Sequence, residues 1–190
     1  MSSSGHTHPT MFSLTVKDIT LTSLMTAVTC ILGALAIPLP FSPVPLSFTS
    51  LALCLMVYVL DFRCSLLCYT IYFLLGAVGL PVFSGFSGGP GHVVGPTGGY
   101  LIGFFFQIMI SAYVLKHGKG HRLYETAGLI LGTAVCHIFG TLWLARQLGL
   151  SLTAALTIGV LPYLPGDGTK IAFASIIGPK IRKNLRKAMS

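Results

Sequence analysis

Residues 46–79 read LSFTSLALCLMVYVL, then DFR, then CSLLCYTIYFLLGAVG. Each apolar half is short for a membrane-spanning helix, which takes about 20 mostly apolar residues. Joined, the halves are too long for one span. Asp61 and Arg63 interrupt the run, so the stretch reads as a helical hairpin, 46–60 and 64–79, turning at 61–63.

Working outward, further apolar runs lie at 19–37, 98–115, 126–144 and 166–181, for six expected spans. Pro38, Pro40, Pro43 and Pro45 end the first and make 38–45 a loop. Residues 80–97 form a second loop, rich in Gly and Pro and free of charge. The weaker run at 152–161, about 10 residues, is too short to span and reads as re-entrant or interfacial. The expected organisation is one membrane domain over 18–183, between a polar tail (1–17) and a basic tail (184–190). The first tail lacks a positive n-region and a small-residue cleavage site, so it does not read as a signal peptide.

Composition supports the same class. Of 190 residues, 12 are Lys or Arg and 4 are Asp or Glu, only 8% charged, against about 25% in a typical soluble domain. The hydrophobic share is 53% and the mean hydropathy +0.83. A soluble domain this small cannot hide so much apolar surface. Five Cys do not make a disulfide scaffold. The fold class is therefore an all-α integral membrane protein with six transmembrane helices.

The net charge of +8 invites a nucleic-acid reading. Placement of the charges removes it. Lys17, Arg63, Lys116, Lys119, Arg122, Lys180, Arg182, Lys183, Arg186 and Lys187 all fall on the side of the termini. Arg146 and Lys170 fall on the other. The positive-inside rule then puts both termini in the cytoplasm. No basic stripe with interleaved aromatics is present for nucleic acid. The basic C-terminus also suits anionic lipid of the bilayer.

Chemistry-bearing motifs are few. Gly166-Asp167-Gly168-Thr169-Lys170 is not a Walker A loop, because its order and glycine spacing are wrong, and neither His-Glu-x-x-His nor Gly-x-Ser-x-Gly occurs. The chain does not read as an enzyme, and nothing implies a metal or cofactor. Asp167 and Lys170, three apart, share a helix face near the outer end of the sixth span. Two readings stay open: an ion pair closing a helix end, or charges facing a cavity. In the 80–100 segment, Thr97 is a candidate N-cap and the N–H groups at Gly98 and Gly99 are candidate acceptor-binding donors. The segment reads as a lid over an outward-facing pocket. His92 lies in this loop, facing ligand or solvent. His137, mid-span beside Cys136, reads as a satisfied interior residue, and the cysteines as inert buried thiols. Thr26, Cys30 and Ala34 form a small-residue stripe on span one, suited to close helix contact within the chain or with a partner.

Gly79-Leu80-Pro81-Val82-Phe83, Gly88-Gly89 and Gly95-Pro96-Thr97-Gly98-Gly99-Tyr100-Leu101-Ile102-Gly103-Phe104, with Pro43-Val44-Pro45 and Leu164-Pro165-Gly166-Asp167-x-x-Lys170, resemble the signature of the BioY family. These are the biotin-specific S components of energy-coupling factor (ECF) transporters. The resemblance covers about residues 20–185. It implies the ECF S-component fold in a bacterial cytoplasmic (inner) membrane, multi-pass, with biotin as cargo rather than cofactor. It also implies docking to a transmembrane coupling subunit with two ABC-type ATPases. The ligand residues expected are Asp167, Lys170, Tyr100, Gly98, Gly99, Thr97, Phe83, Phe86, His92 and Thr49, the last standing where the family often has Gln. Thr26 and Cys30 stand where the family tends to have its docking Ala-x-x-x-Ala, so the stripe of Thr26, Cys30 and Ala34 is the expected docking face. The alternatives are an S component for another small vitamin, a small intramembrane enzyme, and a structural membrane-assembly subunit.

Overall fold

A computed structural model describes residues 14–188 except Phe41 and Lys119. Most of the 1–17 tail, Lys119 and the last two residues of the basic tail therefore lie outside the described residues. Among the described residues, eight α-helices form: α1 (Val16–Ala34), α2 (Thr49–Val59), α3 (Phe62–Val78), α4 (Pro90–Val94), α5 (Gly98–His117), α6 (Arg122–Leu148), α7 (Leu152–Gly159) and α8 (Leu164–Ala188). Two short strands, β1 (Ala36–Ile37) and β2 (Leu46–Ser47), pair antiparallel, Ala36 with Ser47.

The expected hairpin is α2 and α3, turning at Leu60 and Asp61. The first apolar run ends as helix at Ala34, three residues earlier than read, because Ala36 and Ile37 leave to pair with β2. The expected loop at 80–97 contains the one-turn helix α4, and 152–161 is the short helix α7.

Local signals set the ends. Thr15 and Asp18 form a capping box at α1: the Thr15 amide donates to Asp18 Oδ2 at 3.0 Å, and the Asp18 amide donates to Thr15 Oγ1 at 3.2 Å. The Ser151 hydroxyl caps α7 by accepting from the Ala154 amide. Thr97, expected to cap α5, does not: its hydroxyl donates to the His92 carbonyl instead.

The six longer helices alternate in direction. The start of α1, the α2–α3 turn, the end of α5, the start of α6 and the end of α8 share one end of the bundle. Three helices, α1, α5 and α6, are long and apolar enough to cross a membrane. α2 and α3 are apolar but shorter. At 1.5 Å per residue, 11-residue α2 is only about 16 Å long. α8 has the length, 25 residues, but its charged ends lower its hydropathy.

α5 and α6 make the closest pair. Gly128, Gly132, Cys136 and Gly140 recur every four residues on one buried face of α6. A Cβ on Gly132 would come 2.5 Å from Ser111 Oγ of α5. This small-residue stripe is what lets the two backbones approach. The core is carried by Tyr69, Tyr72, Leu53, Met56, Ile108, Leu115, Leu129 and Leu144, all buried.

Candidate functional site

At the end away from the described termini, the bundle holds a partly open cavity of about 390 Å³. Its walls come from the β1–β2 connection, the α3–α4 loop, and the adjoining turns of α2, α5, α6 and α8.

The floor is polar. Asp167 and Lys170, each 8% exposed, lie one turn apart on α8. Lys170 Nζ is 3.2 Å from Asp167 Oδ1 and also donates to the Ser47 carbonyl at 2.6 Å and to Ser50 Oγ at 3.0 Å. Ser50 in turn donates to Asp167 Oδ1 at 3.2 Å. The other carboxylate oxygen, Oδ2, accepts from His137 Nε2 of α6 at 2.9 Å. The charges are thus paired and hydrogen-bonded, the condition under which ions tolerate burial. Both open readings of Asp167 and Lys170 hold together: they are an ion pair, and they line the cavity.

The walls are apolar and aromatic: Phe83, Tyr100, Leu101 and Phe104, with Pro38, Leu39 and Pro43–Val44–Pro45 opposite. Two hydroxyls of the wall are already engaged. Tyr100 donates to the Gly159 carbonyl at 2.7 Å. Tyr163 donates to the Val44 carbonyl and lies 2.8 Å from Ser42 Oγ. Burial pushes the Tyr163 phenol up, so it stays protonated as a donor. This bond ties the proline loop to the turn before α8.

The α3–α4 loop is a folded cover rather than a free linker. Its backbone pairs Phe83 with Ser87, Gly85 donates to the Ala34 carbonyl, and Gly89 donates to the Gly76 carbonyl. Trp143 Nε1 and Gln147 Nε2 of α6 donate to the carbonyls of Gly95 and Val94. Gly76 is where α3 admits Phe83: a Cβ there would sit 2.2 Å from the ring.

Of the residues read from sequence, Asp167, Lys170, Tyr100, Phe83, Thr97 and His92 line the cavity. Four do not. Thr49 is 1% exposed and accepts from Ser47 Oγ behind the wall, while its neighbours Ser47 and Ser50 face inward. Phe86 sits in the left-handed region at φ 56° and is 67% exposed, so it covers nothing. The Gly98 amide is spent on the Gly95 carbonyl. Gly99 is pressed against Trp143, whose Cβ would lie 2.2 Å from an added Cβ. Gly99 thus packs α5 on α6, while Gly98 sits against the Val93 carbonyl of α4.

The stripe on α1 also turns inward. Thr26 and Ala34 are buried, and Thr26 Oγ1 donates to the Thr22 carbonyl and lies 3.3 Å from Cys68 Sγ of α3. Only Cys30 is part-exposed. The stripe therefore packs within the chain. The open face of α1 carries Ser23, Leu24, Ala27 and Ile31 instead.

Sequence reading missed Gln107, Thr133, Ser50 and Tyr163, and took His137 for satisfied. His137 has one ring nitrogen on Asp167 and the other, Nδ1, without a partner. A polar residue in the middle of an apolar run was the available signal for Gln107 and His137. Among the described residues, no group of three His, Cys, Asp or Glu is placed to hold a metal ion.

A helical bundle with apolar helices and a cavity polar at its floor and aromatic at its walls defines a membrane protein that binds a small molecule. The family model described as "BioY family" matches residues 5–187. The chain belongs to the BioY family. It is 38% identical over 168 residues to the probable biotin transporter BioY of Pyrococcus horikoshii, covering 88% of this chain and 98% of that one. It is 34% identical to the biotin transporter BioY of Rhizobium etli, covering 87% and 92%. The fold superposes with a TM-score of 0.84 on the crystal structure of the S-component for biotin from an ECF-type ABC transporter, at 29% identity, over 90% of this chain and 95% of that one.

Proposed function

We propose that this chain captures biotin at the outer face of a bacterial cytoplasmic membrane and serves as the substrate-binding S component of an ECF transporter. It binds its cargo without altering it. The observation that carries the reading is the cavity itself. At about 390 Å³ it falls within the roughly 300–1,000 Å³ of small-molecule sites. Its aromatic walls suit the apolar bicycle of biotin, and its floor suits the ureido group. The valeryl carboxylate then lies toward the rim, where Ser84 and His92 line the opening.

Six membrane crossings with both termini in the cytoplasm fit the alternation of the long helices. The short α2 and α3 then cross where the loops of the cavity thicken the outer half. The basic residues Arg63, Lys116, Arg182, Lys183, Arg186 and Lys187 gather at the opposite end, the arrangement that positive-inside topology requires.

The chain carries no nucleotide-binding motif, so accumulation draws on a coupling subunit and two ABC-type ATPases. The docking face on this reading is the open side of α1, around Ser23 and Ala27, where small residues admit a close helix partner. α1 is the least buried of the three helices long enough to span. Ala27→Trp then abolishes co-purification with the coupling subunit and spares biotin binding. Loss of biotin binding with docking intact would reverse the assignment.

Native mass spectrometry of the protein purified from biotin-replete cells tests the function. The expected result is a bound species heavier by one biotin. A co-purifying compound of another mass would favour the S-component fold serving a different vitamin.

A further inference from the structure

The charged groups at the cavity floor already have their hydrogen-bond partners, and two buried side-chain atoms beside them do not. All three Lys170 protons have acceptors: the Ser47 carbonyl, Ser50 Oγ and Asp167 Oδ1. Asp167 already accepts from Ser50, Lys170 and His137. Because His137 Nε2 meets a carboxylate oxygen, it carries a ring proton, and in the neutral ring Nδ1 is a lone-pair acceptor. That atom is buried and has no partner. Gln107, on α5, is 1% exposed. Its amide nitrogen faces Thr133 Oγ1 at 3.3 Å and Cys54 Sγ at 3.7 Å, and its Oε1 has no partner. Both residues line the cavity. Buried polar atoms are paired in the great majority of cases. Two unpaired acceptors on one cavity are therefore a vacancy for donors.

We infer that Gln107 Oε1 and His137 Nδ1 are the specificity-determining acceptors of this site, and that they take the two N–H groups of the ligand's cyclic urea. The assignment rests on the biotin reading and deepens it. Asp167 then acts mainly as a positioning residue: it fixes the His137 ring so that Nδ1 faces the ligand. The saturated Asp167–Lys170 pair supplies the rigid floor. A ligand that places an acceptor against these two atoms meets lone pairs with lone pairs, and a site built to receive a donor rejects the analogue lacking it.

The test pairs ligand changes with protein changes. The ligands are biotin and two near-isosteric analogues, each with one ureido N–H replaced by a ring oxygen. The proteins are the native chain, Gln107→Met and His137→Phe, each checked for an unchanged elution profile and melting midpoint. In the native protein each analogue should bind about tenfold or more weakly than biotin, the effect of leaving one buried acceptor unmet. Gln107→Met should weaken biotin by about tenfold and reduce the discrimination against one analogue to about threefold or less. His137→Phe should do the same for the other analogue. Should either variant fail to fold, the native protein's response to the two analogues still decides. Equal affinity for biotin and both analogues in the native protein would overturn the assignment. So would undiminished discrimination in folded variants, which would leave Gln107 and His137 as packing residues. Absence of biotin binding by the native protein would overturn the biotin reading itself, and this assignment with it.

Discussion

The molecule buries an acid against a base at both ends, and the two pairs differ in what surrounds them. At the cavity end, Asp167 and Lys170 are each 8% exposed and every charged atom has a partner, Lys170 Nζ three of them. At the opposite end, Glu125 of α6 is 2% exposed and meets Arg182 of α8 at 3.0 Å, but the Arg182 side chain keeps 26% of its surface open. That pair borders a wide cavity of about 1260 Å³ where Arg63, Lys116, Arg182, Lys183, Arg186 and Lys187 stand among apolar residues and the acids Asp18, Asp61 and Glu125. The same device thus does two things. One pair is a rigid floor for a ligand. The other fastens two helices that start and end at the basic rim. Burial alone does not mark a binding site; the cavity-end pair is set apart by the denser hydrogen bonding of its charges and by the aromatic walls above it.

The comparison breaks most readily at the floor. Asp167→Ala removes the acceptor of three donors and strands the Lys170 ammonium, a loss of about 3–5 kcal/mol in stability. Biotin binding should vanish with it, by calorimetry and thermal melting in detergent. Asp167→Leu combined with Lys170→Leu strands no charge. It should melt above Asp167→Ala while still failing to bind, which separates the floor's ligand role from its stability role.

Arg182→Ala sharpens the other side. It leaves the Glu125 carboxylate buried without its cation, so a drop of about 3 kcal/mol is expected. Biotin affinity in the folded fraction should stay within about twofold, since nothing at that end lines the 390 Å³ cavity. A tenfold loss would mean the two ends are coupled.

Gly76→Ala is expected to act between these extremes. Its Cβ would press on the Phe83 ring, and overpacking typically costs about 1–3 kcal/mol. The displaced ring should weaken biotin binding more than it lowers the melting midpoint. Phe86→Ala should do least, within about 0.5 kcal/mol and twofold in affinity, because the ring is 67% exposed and outside the cavity.

Much of this was readable beforehand, for identifiable reasons. Asp61 and Arg63 are a polar break in an apolar run, so the α2–α3 turn shows in one dimension. Asp167 and Lys170 are close in sequence, so their pairing does too. The six longer helices follow from where charge and proline interrupt the runs. What was not legible depends on helices meeting. Whether Thr49 or Ser50 faces inward is a matter of helix phase, set by how α2 leans on α8. The inward turn of Thr26 and Ala34 is likewise a property of the α1–α3 contact. The stripe that does set a close helix pair, Gly128 to Gly140 on α6, was in view in the sequence but had no partner until α5 was placed. Phe86 sits in a left-handed turn that no phenylalanine announces. Gln107 and His137 gain their meaning only when α5, α6 and α8 are brought around one cavity.

The central claim is that this cavity is a biotin site built on Asp167 and Lys170. Isothermal titration of the purified protein with biotin, beside the Asp167→Ala, Lys170→Ala double variant, tests it most directly. The account predicts saturable one-to-one binding by the native chain and none by a double variant that still elutes as a folded monodisperse species. Native protein that is folded and binds no biotin, or a double variant that keeps native affinity, would contradict it.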